Sequence, residues 1–290
     1  MPSKTRRDIA NFWFRALDSS GILTRRLENE HHVLNTGNEE IHLWLAFPSR
    51  IRDHRLVAEY ETLLADHERE QRSRFHFAAD RHRYLVTRVL VRTVLSRYVP
   101  LDPRDWMFAT NAFGRPYVAN SSPATSRLSF NVSHTDGLIV MGVTTGPALG
   151  VDVENVDVRD LYTGIADKYF SPSEVADLYS LPKPQQHKRF FDIWTLKESY
   201  IKARGMGLAI PLDGFSFRFP GEHGIAFSTQ ARLEDQAARW QFWQFHPEPE
   251  FAAAVCAERT IQPRPPLRLT VTVPLDQDFP RKFRPARETG

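Results

Sequence analysis

Leu149-Gly150-Val151-Asp152-Val153-Glu154 alternates apolar and polar residues, the pattern of a strand with one buried face, and it puts Asp152 and Glu154 on the same side. Further along, Trp194-Thr195-Leu196-Lys197-Glu198-Ser199-Tyr200-Ile201-Lys202 reads as a helix in which Glu198 and Lys202 stand one turn apart on one face. A third carboxylate is thereby delivered beside an ammonium. Three oxygen donors and a cation of this kind suit a magnesium ion that holds a substrate phosphate; manganese would fit the same donors.

Working upstream, Leu128 to His134 and Leu138 to Val143 are two apolar runs joined by Thr135-Asp136-Gly137, a hairpin signal because Asp-Gly tolerates positive φ. Asn111-Ala112-Phe113-Gly114-Arg115-Pro116 carries the glycine and proline of a tight turn and places Arg115 on a loop. From Asp80 to Val99 the apolar residues Leu85, Val86, Val89, Leu90, Val94 and Leu95 fall at helical spacings, with Arg81, Arg83, Arg88 and Arg92 over much of the rest. Ile41 to Ala46 reads as a strand, and residues 1–38 as an N-terminal extension that is polar and irregular.

Working downstream, Ser171-Pro172-Ser173-Glu174 is a capping box with proline at the first helical position. The helix bearing Glu198 begins near Pro184 and stops at Gly205. Phe215 to Phe219, Arg239 to Phe245 and Phe251 to Ala257 read as strands, so the chain is α+β. Prolines crowd in from about Thr260, and residues 260–290 are expected to be an extended or partly disordered basic tail that wraps the body.

Bulk composition narrows the function. A chain of 290 residues with 41% hydrophobic residues can bury a sizeable core. The single cysteine, Cys256, excludes an internal disulfide framework and a cysteine-rich zinc site, which makes the cytoplasm the expected location. Arg6-Arg7 is followed by no apolar signal core, and no run nears the roughly 20 apolar residues that span a bilayer, so neither export nor a membrane is expected. A net charge of +3 favours anionic partners weakly, and with no long basic stripe or recognition module, nucleic acid is not expected.

Each candidate residue taken alone has an ordinary explanation. Asp152 and Glu154 could be a solvated strand face, Glu198 and Lys202 an i,i+4 ion pair, and His134 a hydrogen-bonded imidazole. Against the first stands the neighbourhood of Val151 and Val153, where repelling carboxylates are costly without a cation. The chain has no Gly-x-Ser-x-Gly elbow, no phosphate-binding loop with its lysine and no His-Glu-x-x-His motif.

The order Phe130-Asn131-Val132-Ser133-His134, then Gly150 to Glu154, then Phe190 to Lys202 followed by Gly205 and Gly207, resembles the 4'-phosphopantetheinyl transferase superfamily. Arg74-Phe75, Asp80-Arg81-His82-Arg83 and Gly114-Arg115-Pro116 extend the resemblance to the N-terminal half of its long, monomeric Sfp-like members, so that it covers roughly residues 41 to 258. The resemblance implies two similar α+β halves in a pseudo-twofold arrangement, residues 39–146 and 147–259, with coenzyme A in the cleft between them.

It further implies a holo-[acyl-carrier-protein] synthase type of enzyme that moves phosphopantetheine from coenzyme A to a serine of an apo acyl or peptidyl carrier protein and releases adenosine 3',5'-bisphosphate. A long member implies carriers of secondary-metabolite assembly. In this resemblance Asp152, Glu154 and Glu198 hold Mg2+, Glu198 is the candidate base and Lys202 meets the pyrophosphate. Ser133, His134, Arg83 and Arg115 join the phosphate cradle. The chain departs from the family where lysines often meet the 3'-phosphate, since Glu68 and Gln71 stand there; Arg69, Arg72 and Arg74 are the nearby substitutes. Two other readings use the same residues: a non-catalytic module that binds coenzyme A or a carrier protein, and a metal-dependent phosphodiesterase.

Overall fold

Strand β1 (Ile41–Ala46) sends alternate side chains into two different cores, Ile41, Leu43 and Leu45 into one and Trp44 and Ala46 into another. A strand buried on both faces must sit inside a layered molecule. The computed structural model describes Leu34 and residues 40–146, 148–157, 164–259 and 264–290. Apart from Leu34, the expected N-terminal extension, residues 1–38, lies outside the described residues.

Two antiparallel-rich sheets meet face to face. The first has five strands in the order β12-β11-β1-β5-β4, where β4 is Ser129–Thr135, β5 Leu138–Thr144, β11 Leu267–Val273 and β12 Gln277–Arg281. The second has six in the order β6-β10-β9-β13-β8-β7, where β6 is Leu149–Asn155, β7 Phe215–Arg218, β8 Gly224–Thr229, β9 Trp240–Phe245, β10 Phe251–Glu258 and β13 Arg287–Thr289. Leu43, Leu45 and Val140 from one sheet pack with Val151, Trp243 and Val255 from the other, which is the inter-sheet core.

Each sheet carries a long helix on its outer face. Helices α1 (His54–Thr62), α2 (Asp66–Ser73) and α3 (Ala78–Leu95) precede a small ribbon of β2 (Phe108–Thr110) and β3 (Pro116–Val118). Leu85, Val86, Val89 and Leu90 of α3 pack on Trp44, Met141 and Val143 of the first sheet. Helices α4 (Ile165–Tyr169), α5 (Pro172–Ser180) and α6 (Lys183–Arg204) follow β6, and Leu196, Tyr200 and Ala203 of α6 pack on Phe242, Ala254 and Cys256 of the second sheet. The result is α+β, with helix, sheet, sheet and helix in successive layers.

The C-terminal segment, expected to be extended or partly disordered and to wrap the body, is extended and ordered as strands within the sheets. β11 pairs parallel to β1 over Ile41↔Leu267 to Leu45↔Val271, and β13 lies between β8 and β9. One stretch of chain is thus woven first into one sheet and then into the other. Its missed signal is the alternation Leu267-Arg268-Leu269-Thr270-Val271-Thr272-Val273, outweighed in the sequence by flanking prolines.

Where the sheets' edges meet, β4 and β6 are joined by side chains. Asn131, Ser133 and Thr135 share one face of β4. Asn131 Oδ1 accepts from the Val151 N–H at 2.8 Å, Ser133 Oγ donates to Asp152 Oδ1 at 2.9 Å, and Thr135 Oγ1 accepts from the Asn155 N–H at 3.2 Å. These bonds satisfy edge-strand donors that would otherwise be unpaired, and they fix the register between the two halves of the cleft.

Candidate active site

Gly150, Asp152 and Glu154 face α6, as their period-two spacing requires once Val151 and Val153 are committed to the inter-sheet core. Helix α6 lies very close to β6 because Gly150 has no side chain: a Cβ there would meet Ser199 O at 2.0 Å and Ala203 N at 2.4 Å. The helix stops where Gly205 adopts φ +65°, a left-handed conformation that costs glycine little.

The close approach brings Lys202 over Asp152. Lys202 Nζ donates to Asp152 Oδ1 at 2.6 Å and to Ser133 Oγ at 2.8 Å, and Ser133 donates to the same carboxylate oxygen. Asp152 is buried, and its other oxygen, Oδ2, has no hydrogen-bond partner. A buried carboxylate oxygen without a donor is expensive. It is the clearest sign that the site takes a further positively charged group.

Glu154 and Glu198 share that environment. Burial, then the neighbouring charge of Asp152, pushes the Glu154 carboxyl up to about 7, opposed by Lys202 and by the Trp194 indole, whose Nε1–H donates to Glu154 Oε1 at 3.3 Å. Burial and then Asp152 also raise Glu198. Mutual repulsion among the three carboxylates is therefore built in, with Lys202 as its partial counterweight. Among the described residues no group of three or more His, Cys, Asp or Glu side chains stands as a ready metal shell. The orphaned oxygen and the acidic donor set nevertheless fit a hard divalent cation.

Glu198 and Lys202 line a cleft of about 250 Å3 whose other wall comes from the first half, through Phe113, Arg115, Asn131 and Val132. The structure therefore brings together Ser133, Asp152, Glu154, Glu198 and Lys202, with Arg115 on the rim. His134 and Arg83 stand further out. His134 is exposed at the surface, yet the protein packed around its ring, followed by the charge of Arg83, lowers its pKa. Arg83 pairs with Asp80 at 2.5 Å and approaches Asp136 at 4.0 Å.

Several neighbours are paired with other side chains or with backbone. Glu174 caps α5 by accepting from the Ser171 N–H at 2.8 Å, and it also pairs with Lys197 Nζ at 2.7 Å, both side chains being fully buried. Glu68, at the position where the family often has a lysine, is buried and accepts from Arg88 Nε at 2.6 Å and Arg92 Nη2 at 2.9 Å. Arg69, Arg72 and Arg74 pair with Asp66, Glu61 and Glu70 respectively. Sequence reasoning missed Trp194 and Asn131 as partners of the site; their polar atoms face it by the same helical and strand periods that place Glu198 and Ser133.

Comparison with known proteins identifies the family. Residues 148–256 match the 4'-phosphopantetheinyl transferase superfamily, and residues 53–145 match the N-terminal region of a 4'-phosphopantetheinyl transferase. The chain is 34% identical over 189 residues to a 4'-phosphopantetheinyl transferase of Bacillus subtilis, covering 65% of this chain and 80% of that protein. It is 32% identical over 198 residues to 4'-phosphopantetheinyl transferase Sfp of Bacillus subtilis (strain 168), covering 68% and 84%. With 4'-phosphopantetheinyl transferase HetI of Nostoc sp. (strain PCC 7120) the identity is 33% over 218 residues, covering 75% and 87%. This chain belongs to the 4'-phosphopantetheinyl transferase superfamily, a family of transferase enzymes.

Proposed function

We propose that this protein transfers the phosphopantetheine arm of coenzyme A to a serine hydroxyl of an apo acyl or peptidyl carrier protein. The observation that carries the reading is the orphaned, buried Asp152 Oδ2, close to Glu154 and bonded through its other oxygen to Lys202, which lines a cleft together with Glu198. Asp152, Glu154 and Glu198 would hold Mg2+, or Mn2+. Such an ion, when bound, neutralises phosphate charge that would otherwise repel the incoming nucleophile.

The chain's own residues supply the rest. In the transfer, the serine oxygen forms a bond to the phosphorus that bears the pantetheine, and the bond from that phosphorus to the bridging oxygen breaks. The electron pair leaves with adenosine 3',5'-bisphosphate. Lys202, which also donates to Asp152, donates hydrogen bonds to the pyrophosphate oxygens where negative charge grows. Ser133 donates to Asp152 and holds it toward the cleft. Glu198 accepts the serine proton directly or through a water. His134, which feels the charges of Arg83 and Lys202, and Arg83 itself would meet the nucleotide phosphates.

Both walls of the cleft come from one chain, which supports a monomer. The buried, unpaired Cys256 supports a reducing compartment, the cytoplasm. The resemblance to long Sfp-like members supports carrier domains of secondary-metabolite assembly as partners.

Intact mass spectrometry of an apo carrier domain incubated with this protein, coenzyme A and Mg2+ tests the reading. The expected result is a gain of one phosphopantetheine that disappears on chelation. Coenzyme A bound without any gain across carrier classes would favour the binding module. Cleavage of coenzyme A in the absence of a carrier would favour the phosphodiesterase.

A further inference from the structure

The loop of the β2–β3 ribbon reaches across the cleft and grips the end of α6. Arg115 Nη1 donates to Ala203 O at 2.7 Å and Nη2 to Leu149 O at 3.0 Å, so a single guanidinium bridges the last turn of α6 and the first residue of β6. Asn111 Nδ2 donates to Gly205 O at 2.7 Å. Asn111 Oδ1 in turn accepts from the N–H groups of Phe113 and Arg115, each at 2.9 Å, which fixes the loop that presents both donors.

Ala203 O and Gly205 O are carbonyls for which a helix end has no donor of its own, and a cation there also meets the negative end of the helix dipole. The fit is tight. A Cβ on Gly205 would come within 2.8 Å of Arg115 Cδ, so the glycine that ends the helix also makes room for the arginine. Lys202 precedes Ala203 in the gripped turn, and its bonds to Asp152 and Ser133 depend on where that turn sits.

We infer that Arg115 and Asn111 are positioning residues that clamp the end of α6 to β6 and hold Lys202 in register with Asp152, and that Arg115 is not primarily a phosphate ligand. The inference deepens the proposed transferase reading and rests on it for its kinetic half. Its structural half stands on the free protein.

The test compares the full-length protein with Arg115→Met, Arg115→Lys, Asn111→Ala and the Arg115→Met/Asn111→Ala double variant. Amide hydrogen exchange without coenzyme A is followed over residues 201–207, and kcat and the KM for coenzyme A are measured per folded molecule. The clamp predicts faster exchange in that turn for Arg115→Met and Asn111→Ala. It predicts kcat lower by about tenfold to a hundredfold with KM for coenzyme A within about twofold, the scale of a small misplacement of a catalytic group. Losses in the double variant should be smaller than additive, because both residues act on one turn. Arg115→Lys, which cannot bridge two carbonyls with one rigid fork, should recover part of kcat and little of the exchange protection.

A KM raised about tenfold or more in Arg115→Met, with kcat, exchange and the Asn111→Ala variant unchanged, would overturn the proposal in favour of a phosphate ligand. Faster exchange with unchanged kcat would reduce the pair to structural support and would also overturn it. Should the unsubstituted protein transfer nothing at all, the transferase reading fails, and unchanged exchange in Arg115→Met and Asn111→Ala would separately sink the clamp.

Discussion

A Cβ on Gly150 would lie 2.0 Å from the carbonyl oxygen of Ser199, so α6 crosses β6 at a separation that only glycine permits. The obstacle is helix backbone, which cannot rotate away as a side chain could. Gly150→Ala should therefore destabilise the protein by about 3 kcal/mol and move Lys202 off Asp152. Where alanine fits, the same change would stabilise by about 0.4–1 kcal/mol through the unfolded state. Denaturant unfolding reads the sign directly.

Two lysines on α6 should separate cleanly. Lys197 is buried against Glu174 and donates to Leu212 O and Phe215 O, each at 2.8 Å, whereas Lys202 lines the cleft. Lys197→Met strands a buried carboxylate and should cost about 3 to 5 kcal/mol. Lys202→Ala also takes the cation from buried Asp152 and should lower the melting temperature of the metal-free protein, but its larger effect should be a strong loss of turnover. Thermal melts set beside initial rates would expose the opposite pattern if the roles were reversed.

Asp152→Ala and Glu198→Ala should each abolish carrier modification while circular dichroism keeps the native signature. Lys202, the partner left behind in the first variant, is open enough to solvent to be rehydrated. Transfer at the unsubstituted rate by either variant would remove that carboxylate from the metal site.

The metal-free protein should lose stability as pH rises. Glu154 titrates at about 7 when folded, against 4.5 for its ordinary value, because burial and Asp152 disfavour its charge. The folded state therefore holds a proton that the unfolded state has released, and this contribution is present below about 4.5 and is lost as pH passes through 7. The shift corresponds to at most about 3 kcal/mol. Melting curves from pH 5.5 to 8 with chelator should fall, and Mg2+ should raise Tm more at pH 8 than at pH 5.5. A Mg2+ effect independent of pH would contradict the assignment.

Arg287 ties the last strand to the helix that carries the site. Its Nη1 meets Asp192 Oδ2 at 3.0 Å and Gln244 Oε1 at 2.7 Å, and Asp192 is buried. Arg287→Ala should cost about 3 kcal/mol by leaving that carboxylate without its cation. Chemical denaturation would measure it, and a loss below about 0.5 kcal/mol would show that the clasp is unimportant.

The strands and helices around the site were legible in the chain because their signals are local. Alternation placed Asp152 and Glu154 on one face, helical spacing joined Glu198 to Lys202, and the capping box at Ser171 and the stop at Gly205 both appear as read. The strands formed by residues 267–289 were not legible, because pairing with β1 and β9 is a choice of distant partner that no local pattern encodes.

By itself, then, the sequence determined which residues could act: three carboxylates, a lysine and a serine, each placed by its own strand or helix period. Tertiary structure alone decided what they do to one another. Only close packing at Gly150 sets Lys202 on Asp152, leaves Asp152 Oδ2 buried without a donor and lifts Glu154 to about 7. Packing elsewhere in the fold turns Glu174, Glu68 and Arg115 toward structural partners. Desolvation and through-space charge depend on distance in the folded molecule, and distance is what a linear order of residues does not contain.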